Sequence, residues 1–343
     1  MTALRLGTRA SLLATTQSSH VADALRAATG RDVEIVPITT AGDVLTGSLA
    51  QLGGTGVFVA ALRDALLRGD CDLVVHSMKD LPTGDVSGLR IAAVPPRASA
   101  RDALCARDGL SLDALPRGAR IGTGSPRRVA QLLRRRPDLQ VVGIRGNVDT
   151  RLRKVDDAEF DGIVLAEAGL TRIGRAGRIT ELFAGDSWPT SAGQGALAVE
   201  VREGDAVGDA VARITHADSA EVALLERAVL RRLEAGCAAP VGIGARHVPA
   251  AAATHPSQIT GTDAVKSTSG PDEPGGIASA PAGVVLVAEV YALDGGRTVR
   301  VERTFARATV ADDEGRADAA DAVVAELLEA GAGDLADLAG SGR

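Results

Sequence analysis

The chain has few aromatic side chains. One tryptophan, one tyrosine and four phenylalanines make up 2 % of its 343 residues. A protein that binds single-stranded nucleic acid by stacking bases on aromatic rings needs more of them. The formal net charge of −6 also argues against a surface that coats a polyanion. Any anion-binding site must therefore be a local cluster of cations.

Long apolar runs are absent as well. The chain has no stretch of 18 or more apolar residues, and its N-terminal MTALRLGTRAS lacks the apolar core of a signal peptide. These absences predict a protein that is neither secreted nor anchored across a membrane, and we expect it in the cytoplasm.

Cysteine is scarce, with only Cys71, Cys105 and Cys237. Their wide spacing and odd number exclude a disulfide framework and a zinc-binding pattern. Cys71 and Cys105 precede or lie in apolar runs and are predicted to be core residues. Two interpretations remain open for the set: buried free thiols, the common case, or at least one reactive thiol.

The elements predicted from hydrophobic periodicity alternate between strand and helix, which indicates βαβ units and parallel sheets. The predicted strands are 3–7, 33–38, 72–76, 119–122, 140–144, 162–166 and 196–201. The predicted helices are 11–28, 57–68, 126–136, 147–155 and 219–234, the last with Ser219 as its N-cap. LRLGTRAS at 4–11 and ARIGTGSP at 119–126 share a strand–Gly–Thr–loop–helix pattern, which favours two similar α/β lobes.

The length predicts two or three domains. We expect domain 1 to comprise 1–95 and 196–216, domain 2 to comprise 97–192, and domain 3 to comprise 218–343. Residues 248–283 are rich in Ala, Pro, Ser, Thr and Gly without periodicity, which predicts a disordered or loosely packed insert.

The end of domain 3 is predicted to be a small α+β unit. Strands 284–292 and 297–305 form a hairpin that turns at DGG, and a helix covers roughly 310–330.

Two arginines stand at an unfavourable place in the predicted helix 126–136. Ser125 and Pro126 are a capping serine and a proline at the first helical position. Arg127 and Arg128 follow in the first turn, where the helix dipole favours anions rather than cations. The pattern therefore makes both arginines candidates for binding an anionic ligand.

Further arginines follow predicted strand ends, where ligands of open α/β sheets bind. Arg9 and Arg145 lie directly after strands, and Arg151 and Arg172 lie a few residues further on. Each alone is an ordinary surface residue. The arginines that follow predicted strand ends are Arg9, Arg127, Arg128 and Arg145. Together they indicate a cleft for a ligand with several carboxylates, because arginine binds carboxylates bidentately.

Residues 72–84, DLVVHSMKDLPTG, place Lys79 and Asp80 at the end of a predicted buried strand. A solvated turn is the simpler interpretation of such a pair. A carboxylate among many arginines would, however, stay ionised and could balance a developing cation or accept a proton. His76 is interpreted as a structural residue at the end of the strand.

Several motifs in the same order resemble the porphobilinogen deaminase family, whose enzymes are also called hydroxymethylbilane synthases. The matching segments are LGTRAS, GGTGVF, VVHSMKDLP, IGTGSPRR, RRPDL, IRGNVDTRL, AGLTRIG, AGQGAL and LEAGCAAPVG. They cover essentially the whole ordered length of the chain.

The resemblance implies two periplasmic-binding-protein-like α/β lobes with mainly parallel sheets flanking a cleft, plus a small C-terminal α+β domain. It implies a transferase that condenses four porphobilinogen molecules into hydroxymethylbilane and releases ammonia at each step. The primer would be a covalent dipyrromethane cofactor. A monomer that passes its product to uroporphyrinogen-III synthase is expected, with no nucleic acid, membrane or metal involved.

The resemblance also assigns roles to residues. Cys237 would hold the cofactor through a thioether. Asp80 would be the catalytic acid, binding pyrrole N–H groups and stabilising the cationic azafulvene. The positions that would hold the carboxylate arms of cofactor and substrate are Lys79, Ser77, Thr123, Ser125, Arg127, Arg128, Arg145, Arg9, Ser11, Arg151 and Arg172.

The chain departs from the family pattern at a few positions. Gln51 and Thr55 stand where the family often carries lysines, and Gly124 stands where a hydroxyl residue is common. The insert 248–283 is not typical and receives no role. A binding module for a carboxylated small molecule is the alternative, which a reactive Cys237 argues against. A nucleotide enzyme is disfavoured, since GGTG and GQG lack the G-x-G-x-x-G spacing.

Overall fold

The computed structural model describes residues 3–38, 56–235, 239–249, 258–261 and 283–338. Three sheets organise this part of the chain, two with five strands and one with four. The predicted boundaries place one sheet in each of the three expected domains. None of the helices in these ranges has the length and apolar run that a membrane crossing requires.

The first lobe is built on the first sheet, in which only β10 runs opposite to the other four strands. Its strands are β1 (Leu4–Thr8), β2 (Val33–Pro37), β3 (Leu73–Ser77), β4 (Leu89–Ala93) and β10 (Leu197–Arg202). Its helices are α1 (Leu12–Thr29), α2 (Gly56–Arg68) and α6 (Val207–Ala212). Ser11 caps α1 by accepting from the Ala14 N–H, and Gly30 ends it at φ 68°.

The second lobe is built on the second sheet, in which only β5 is reversed. Its strands are β5 (Asp102–Ala106), β6 (Arg120–Gly122), β7 (Gln140–Val142), β8 (Gly162–Ala166) and β9 (Glu181–Leu182). Its helices are α3 (Pro126–Arg135), α4 (Val148–Asp156) and α5 (Glu167–Arg172).

The two lobes share one topology, as the sequence echo indicated. The strand order is β2-β1-β3-β10-β4 in the first lobe and β7-β6-β8-β5-β9 in the second. β1 and β6 are therefore both second in their sheets, and the reversed strand is fourth in each. Each reversed strand directly follows a connection between the lobes. The outward connection, residues 94–101, leads into β5, and the return connection, residues 183–196, leads into β10.

The C-terminal domain packs two helices on an antiparallel sheet. Its elements are α7 (Ala217–Arg232), β11 (Val241–Val248), β12 (Gln258–Gly261), β13 (Gly283–Tyr291), β14 (Thr298–Ala306) and α8 (Asp313–Glu329). Leu225 and Val229 of α7 and Val323 and Leu327 of α8 are buried against β13. The predicted fold class, two α/β lobes and a small α+β domain, is confirmed.

Three sequence expectations need correction. The N-cap of α7 is His216, whose ring accepts from the Ser219 N–H, rather than Ser219 itself. Residues 258–261 of the expected insert form a strand paired with β14, and Gly283 already belongs to β13; residues 250–257 and 262–282 lie outside the described residues. Strands β4, β5, β9 and β11 and the short helices α5 and α6 were not predicted.

Candidate active site

The turn that follows β3 carries the predicted catalytic residues. Met78–Asp80 is a 3-10 turn, with Met78 fully buried and the side chains of Lys79 and Asp80 half-buried. Gln17 of α1 donates to Oγ of Ser77 at 2.9 Å, which fixes the end of the strand. In the part of the chain that the structure describes, no group donates a hydrogen bond to Asp80.

Lys79 lies in a poorly solvated environment. Its Nζ lies 3.2 Å from Oε1 of Gln194. Burial lowers the pKa of Lys79 from 10.5 to about 8, an effect that Asp80 opposes and Arg128 reinforces. Desolvation destabilises an ammonium ion more than a neutral amine, so this lysine is readily deprotonated for its type.

Arg127 and Arg128 share a buried carboxylate that the sequence reasoning missed. Asp102, at the start of β5, has no exposed surface; Oδ2 accepts from Nη1 of Arg127 at 2.8 Å and Oδ1 from Nη2 of Arg128 at 2.6 Å. Trp188 and Gln194 donate to the same carboxylate at 3.0 and 2.8 Å. Burial alone would raise the pKa of Asp102, but the two arginines outweigh it and hold that pKa far below its usual range.

The Asp102 cluster explains why two cations stand in the first turn of α3. Their charges are compensated by a carboxylate of β5, which offsets the unfavourable interaction of two cations with the positive end of the helix dipole. One positive charge remains in excess. Arg127 is 2 % exposed and Arg128 is 6 % exposed. Contact of either arginine with a ligand therefore stays a prediction. Asp102 already accounts for most of the unusual placement of two cations in the first turn of α3.

Three other predicted arginines have no carboxylate within salt-bridge distance in the described ranges: Arg145, Arg151 and Arg172. Arg151 donates to the Gly146 carbonyl and Arg172 to the Gly195 carbonyl. Burial, Arg128 and Arg145 lower the pKa of Arg151, while Asp80 raises it. Arg128, Arg145 and Asp80 therefore each lie near enough to Arg151 to interact with it electrostatically.

The remaining predicted residues lie at the starts of α1 and α3. Arg9 follows β1, and the side chain of Ser11 is engaged in capping α1. Thr123 is buried and accepts from the Ser125 N–H at 3.2 Å. Ser125 occupies the N-cap of α3 as predicted, but its hydroxyl forms no cap hydrogen bond.

Gln194 of the return connection joins the two lobes. Its Oε1 contacts Lys79 of the first lobe and lies 3.4 Å from Nη2 of Arg128 in the second. Its Nε2 donates to Asp102 and, at 2.7 Å, to the Ala100 carbonyl. This buried amide was also missed; the AGQG motif was the only signal for it.

Glu226 of α7 attaches the C-terminal domain to both connections. Its carboxylate binds Arg97 of the outward connection through two hydrogen bonds of 2.8 and 2.9 Å. It also accepts from the N–H groups of Gly193 and Ala245. Such a fully hydrogen-bonded buried ion pair fixes one arrangement of the segments it joins.

The prediction that Cys71 and Cys105 are core residues is confirmed, since they are 0 % and 1 % exposed. Burial raises the pKa of each thiol to about 11, so neither is a reactive thiolate near neutral pH. Cys237, the predicted attachment point, lies outside the described residues, as do Gln51 and Thr55. It follows α7 and precedes β11 in the chain.

His76 is a structural residue, as predicted, but it has a partner. Its Nε2 lies 2.9 Å from Oε2 of Glu200 on β10, and Arg63 of α2 binds the same carboxylate bidentately. Burial would raise the pKa of Glu200, yet His76 and Arg63 lower it to about 2.

The geometry defines a class of protein: two matched α/β lobes with cationic groups at the ends of their strands and, in Asp80, a carboxylate that accepts no hydrogen bond from a described group. Arginine and lysine are the partners that a ligand with carboxylate arms requires. Arg145, Arg151 and Arg172 form no salt bridge with any described carboxylate, which fits such a ligand.

Comparison with known proteins gives the family. Residues 4–210 match the family model described as "Porphobilinogen deaminase, dipyromethane cofactor binding domain". The porphobilinogen deaminase of Leifsonia xyli is 48 % identical and covers 98 % of this chain and 95 % of its own. That of Cutibacterium acnes is 46 % identical and covers 100 % and 99 %.

The chain therefore belongs to the porphobilinogen deaminase family, and the resemblance in its motifs is confirmed. It is a transferase of porphyrin biosynthesis, a hydroxymethylbilane synthase, whose cofactor is dipyrromethane. Among solved structures, a periplasmic substrate-binding protein of an ABC transporter from Coxiella burnetii is 15 % identical with a TM-score of 0.41, covering 66 % of this chain and 95 % of that one.

Proposed function

We propose that the chain condenses four porphobilinogen molecules one at a time into hydroxymethylbilane, with loss of one ammonia per addition. The first addition would take place on a dipyrromethane joined to Cys237 by a thioether. When bound, the dipyrromethane supplies the nucleophilic pyrrole carbon that is extended. The chain's own residues bind the carboxylate arms, hold the pyrrole rings and move protons.

The observation that carries this proposal is the contrast between Asp80 and Asp102. Asp102 accepts hydrogen bonds from four side chains, whereas no described group donates to Asp80. A carboxylate has about four acceptor sites. Those of Asp80 are therefore available to pyrrole N–H groups in a cleft that is otherwise cationic.

Asp80 would act at two moments of each addition. Its negative charge stabilises the positive charge that develops on the substrate pyrrole as the carbon–nitrogen bond to ammonia breaks. After the new carbon–carbon bond forms, the attacked ring carbon must lose its proton, and the carboxylate is the base for it. Arg145, Arg151 and Arg172 would hold acetate and propionate arms, and Lys79 would share this task.

The test compares Asp80→Asn, Cys237→Ser and the wild type by intact mass and by turnover of porphobilinogen. We expect a mass excess of two linked pyrrole units in the wild type and in D80N, and none in C237S. Turnover by D80N should fall by about 10²–10⁴, the usual contribution of general acid–base catalysis. Asp85→Asn, an exposed carboxylate paired with Arg231, serves as the matched control. Normal product formation by D80N contradicts the role of Asp80.

We also propose that the enzyme acts as a monomer in the cytoplasm and passes its product to uroporphyrinogen-III synthase. A linear tetrapyrrole is the open-chain precursor of a macrocycle, so a ring-closing enzyme must consume it. Sedimentation equilibrium of the purified chain tests the monomer, and a second species at twice the mass contradicts it.

A further inference from the structure

Arg227 of α7 is committed to the backbone of the Asp80 turn. Its Nη1 donates to the Leu81 carbonyl at 2.8 Å and to the Met78 carbonyl at 3.3 Å, and its Nη2 donates to the Pro82 carbonyl at 3.0 Å. These three carbonyls bracket Lys79 and Asp80 in the chain. One side chain of the C-terminal domain therefore holds the turn on both sides of the carboxylate.

Arg227 makes no ion pair in the described ranges, which sets it apart from most arginines on α7. Arg231, one helical turn later, pairs with the exposed carboxylate of Asp85 at 2.7 Å. A half-buried guanidinium that gives its hydrogen bonds to neutral carbonyls has no carboxylate in direct contact, and only Glu200 and Asp85, beyond salt-bridge distance, stabilise its charge. Such an arrangement is unfavourable for stability alone. Burial accordingly lowers the pKa of Arg227. Such an arrangement indicates a positional role.

Apolar residues next to Arg227 also hold α7 against the Asp80 turn. Ala223 lies four residues before Arg227, on the same face of α7, and is fully buried against Met78 and Leu81. The Met78 N–H donates to the Ala196 carbonyl at 3.0 Å, and the Leu81 N–H donates back to Met78. The turn is therefore held between the end of the return connection and α7, and Arg227 fixes its outer edge.

The same helix leads toward the predicted attachment point of the cofactor. α7 ends at Arg232, and Cys237 follows five residues later in the sequence. Because Arg227 links α7 to the Asp80 turn, it connects the part of the chain that precedes the tether with the part that carries the carboxylate.

We propose that Arg227 is a positioning residue, which sets the location of the Asp80 carboxylate by holding the carbonyls of Met78, Leu81 and Pro82. This inference rests on the proposed role of Asp80. Arginine suits the task because its planar fork serves several acceptors at fixed directions, whereas the ammonium of lysine is a single point donor.

The test measures kcat, KM and thermal unfolding of the cofactor-loaded enzyme. For Arg227→Met we expect kcat to fall about tenfold to hundredfold, the effect of a misplacement near 1 Å, with KM changed less than about threefold. Arg227→Lys should restore part of kcat. Arg231→Met removes a cation from the same helix face without touching the turn and should keep wild-type kcat.

A second control separates positioning from stability. Ala223→Gly removes one methyl group from the packing of α7 on the turn and keeps every hydrogen bond of Arg227. It should therefore lower the unfolding temperature and reduce kcat clearly less than R227M does, since the carbonyls of the turn keep their donor. Equal loss of kcat in A223G and R227M contradicts the proposal, as does wild-type kcat in R227M. Where R227M does not fold, R227K is compared with the wild type instead. Its kcat should lie below that of the wild type, and wild-type kcat in R227K contradicts the proposal. D80N in the same assay keeps the two proposals apart: if D80N is inactive while R227M is fully active, only the positioning role is wrong.

Discussion

Nζ of Lys79 in the first lobe lies 3.2 Å from Oε1 of Gln194, a fully buried glutamine in the return connection. Through the other end of its amide, Gln194 contacts Asp102 of the second lobe. Gln194 thus contacts both Lys79 of the first lobe and the Asp102 ion cluster of the second. The relative placement of the two halves of the site is therefore determined at the connections between the lobes.

The Asp102 cluster is predicted to be a major contributor to stability. Asp102→Asn leaves Arg127 and Arg128 buried without a counter-charge, and breaking a buried ion pair in this way costs about 3–5 kcal/mol. Asp70→Asn, which breaks the exposed pair with Arg68, should change the free energy of unfolding by at most about 1 kcal/mol. Urea denaturation measures both, and equal effects would contradict the assignment.

Lys79 is predicted to make substrate binding pH-dependent on the alkaline side. Since its pKa in the folded chain is about 8, raising the pH through 8 removes a positive charge from the cleft, and KM for porphobilinogen should rise. Lys79→Arg should keep KM flat to a higher pH, because arginine stays protonated. Lys79→Met should have a high KM throughout, with no such step. A wild-type KM that is constant from pH 7 to 9 contradicts this.

The same shift has a consequence for stability. The pKa of Lys79 falls from 10.5 when unfolded to about 8 when folded, so between these values the unfolded chain binds more protons. The free energy of unfolding contributed by this group therefore increases as the pH rises from about 8 to 10.5. K79M should lack this increment when both proteins are unfolded in urea across that range.

Glu200 is predicted to protect the chain at moderately acid pH. Its pKa is lowered from 4.5 to about 2, so its stabilising effect is complete above about pH 4.5 and is lost as the pH falls toward 2. Glu200→Gln should lose about 3–5 kcal/mol at pH 7 by leaving Arg63 and His76 without their carboxylate. This deficit relative to the wild type should shrink below pH 4.5. Glu203→Gln, at an exposed position nearby, should show no such trend.

Gly195 is predicted to be irreplaceable at the return connection. Its φ is +86°, and a Cβ there would lie 2.5 Å from the Ala98 carbonyl oxygen and 2.6 Å from that of Ser99. Gly204 has a similar φ of +71° but open space around it. Gly204→Ala should therefore cost about 1–2 kcal/mol from backbone conformation alone, and Gly195→Ala should cost clearly more, by an amount that thermal unfolding of the two variants measures.

The sequence by itself determined the local elements and the candidate residues at their ends. β1, β3, β8 and α4 lie within one or two residues of their predicted positions, because apolar alternation, capping residues and glycine stops act over short distances. The matching topology of the lobes was indicated by the pattern that LRLGTRAS and ARIGTGSP share. Lys79 and Asp80 were placed correctly at the end of β3, although periodicity alone could not distinguish a site from a solvated turn.

Only the tertiary structure decided what those charges face. β5 pairs with β8 some 60 residues later in the chain, and this pairing brings Asp102 under Arg127 and Arg128. Gln194, Glu226 and Arg227 likewise act across the junctions between domains. No periodicity or capping pattern marks their partners, and only the AGQG motif singles out Gln194. A buried polar group must find its partner wherever the fold provides one. The sequence therefore specified which residues carry charge, and the fold decided that Asp102 is neutralised while Asp80 receives no hydrogen bond from any described group.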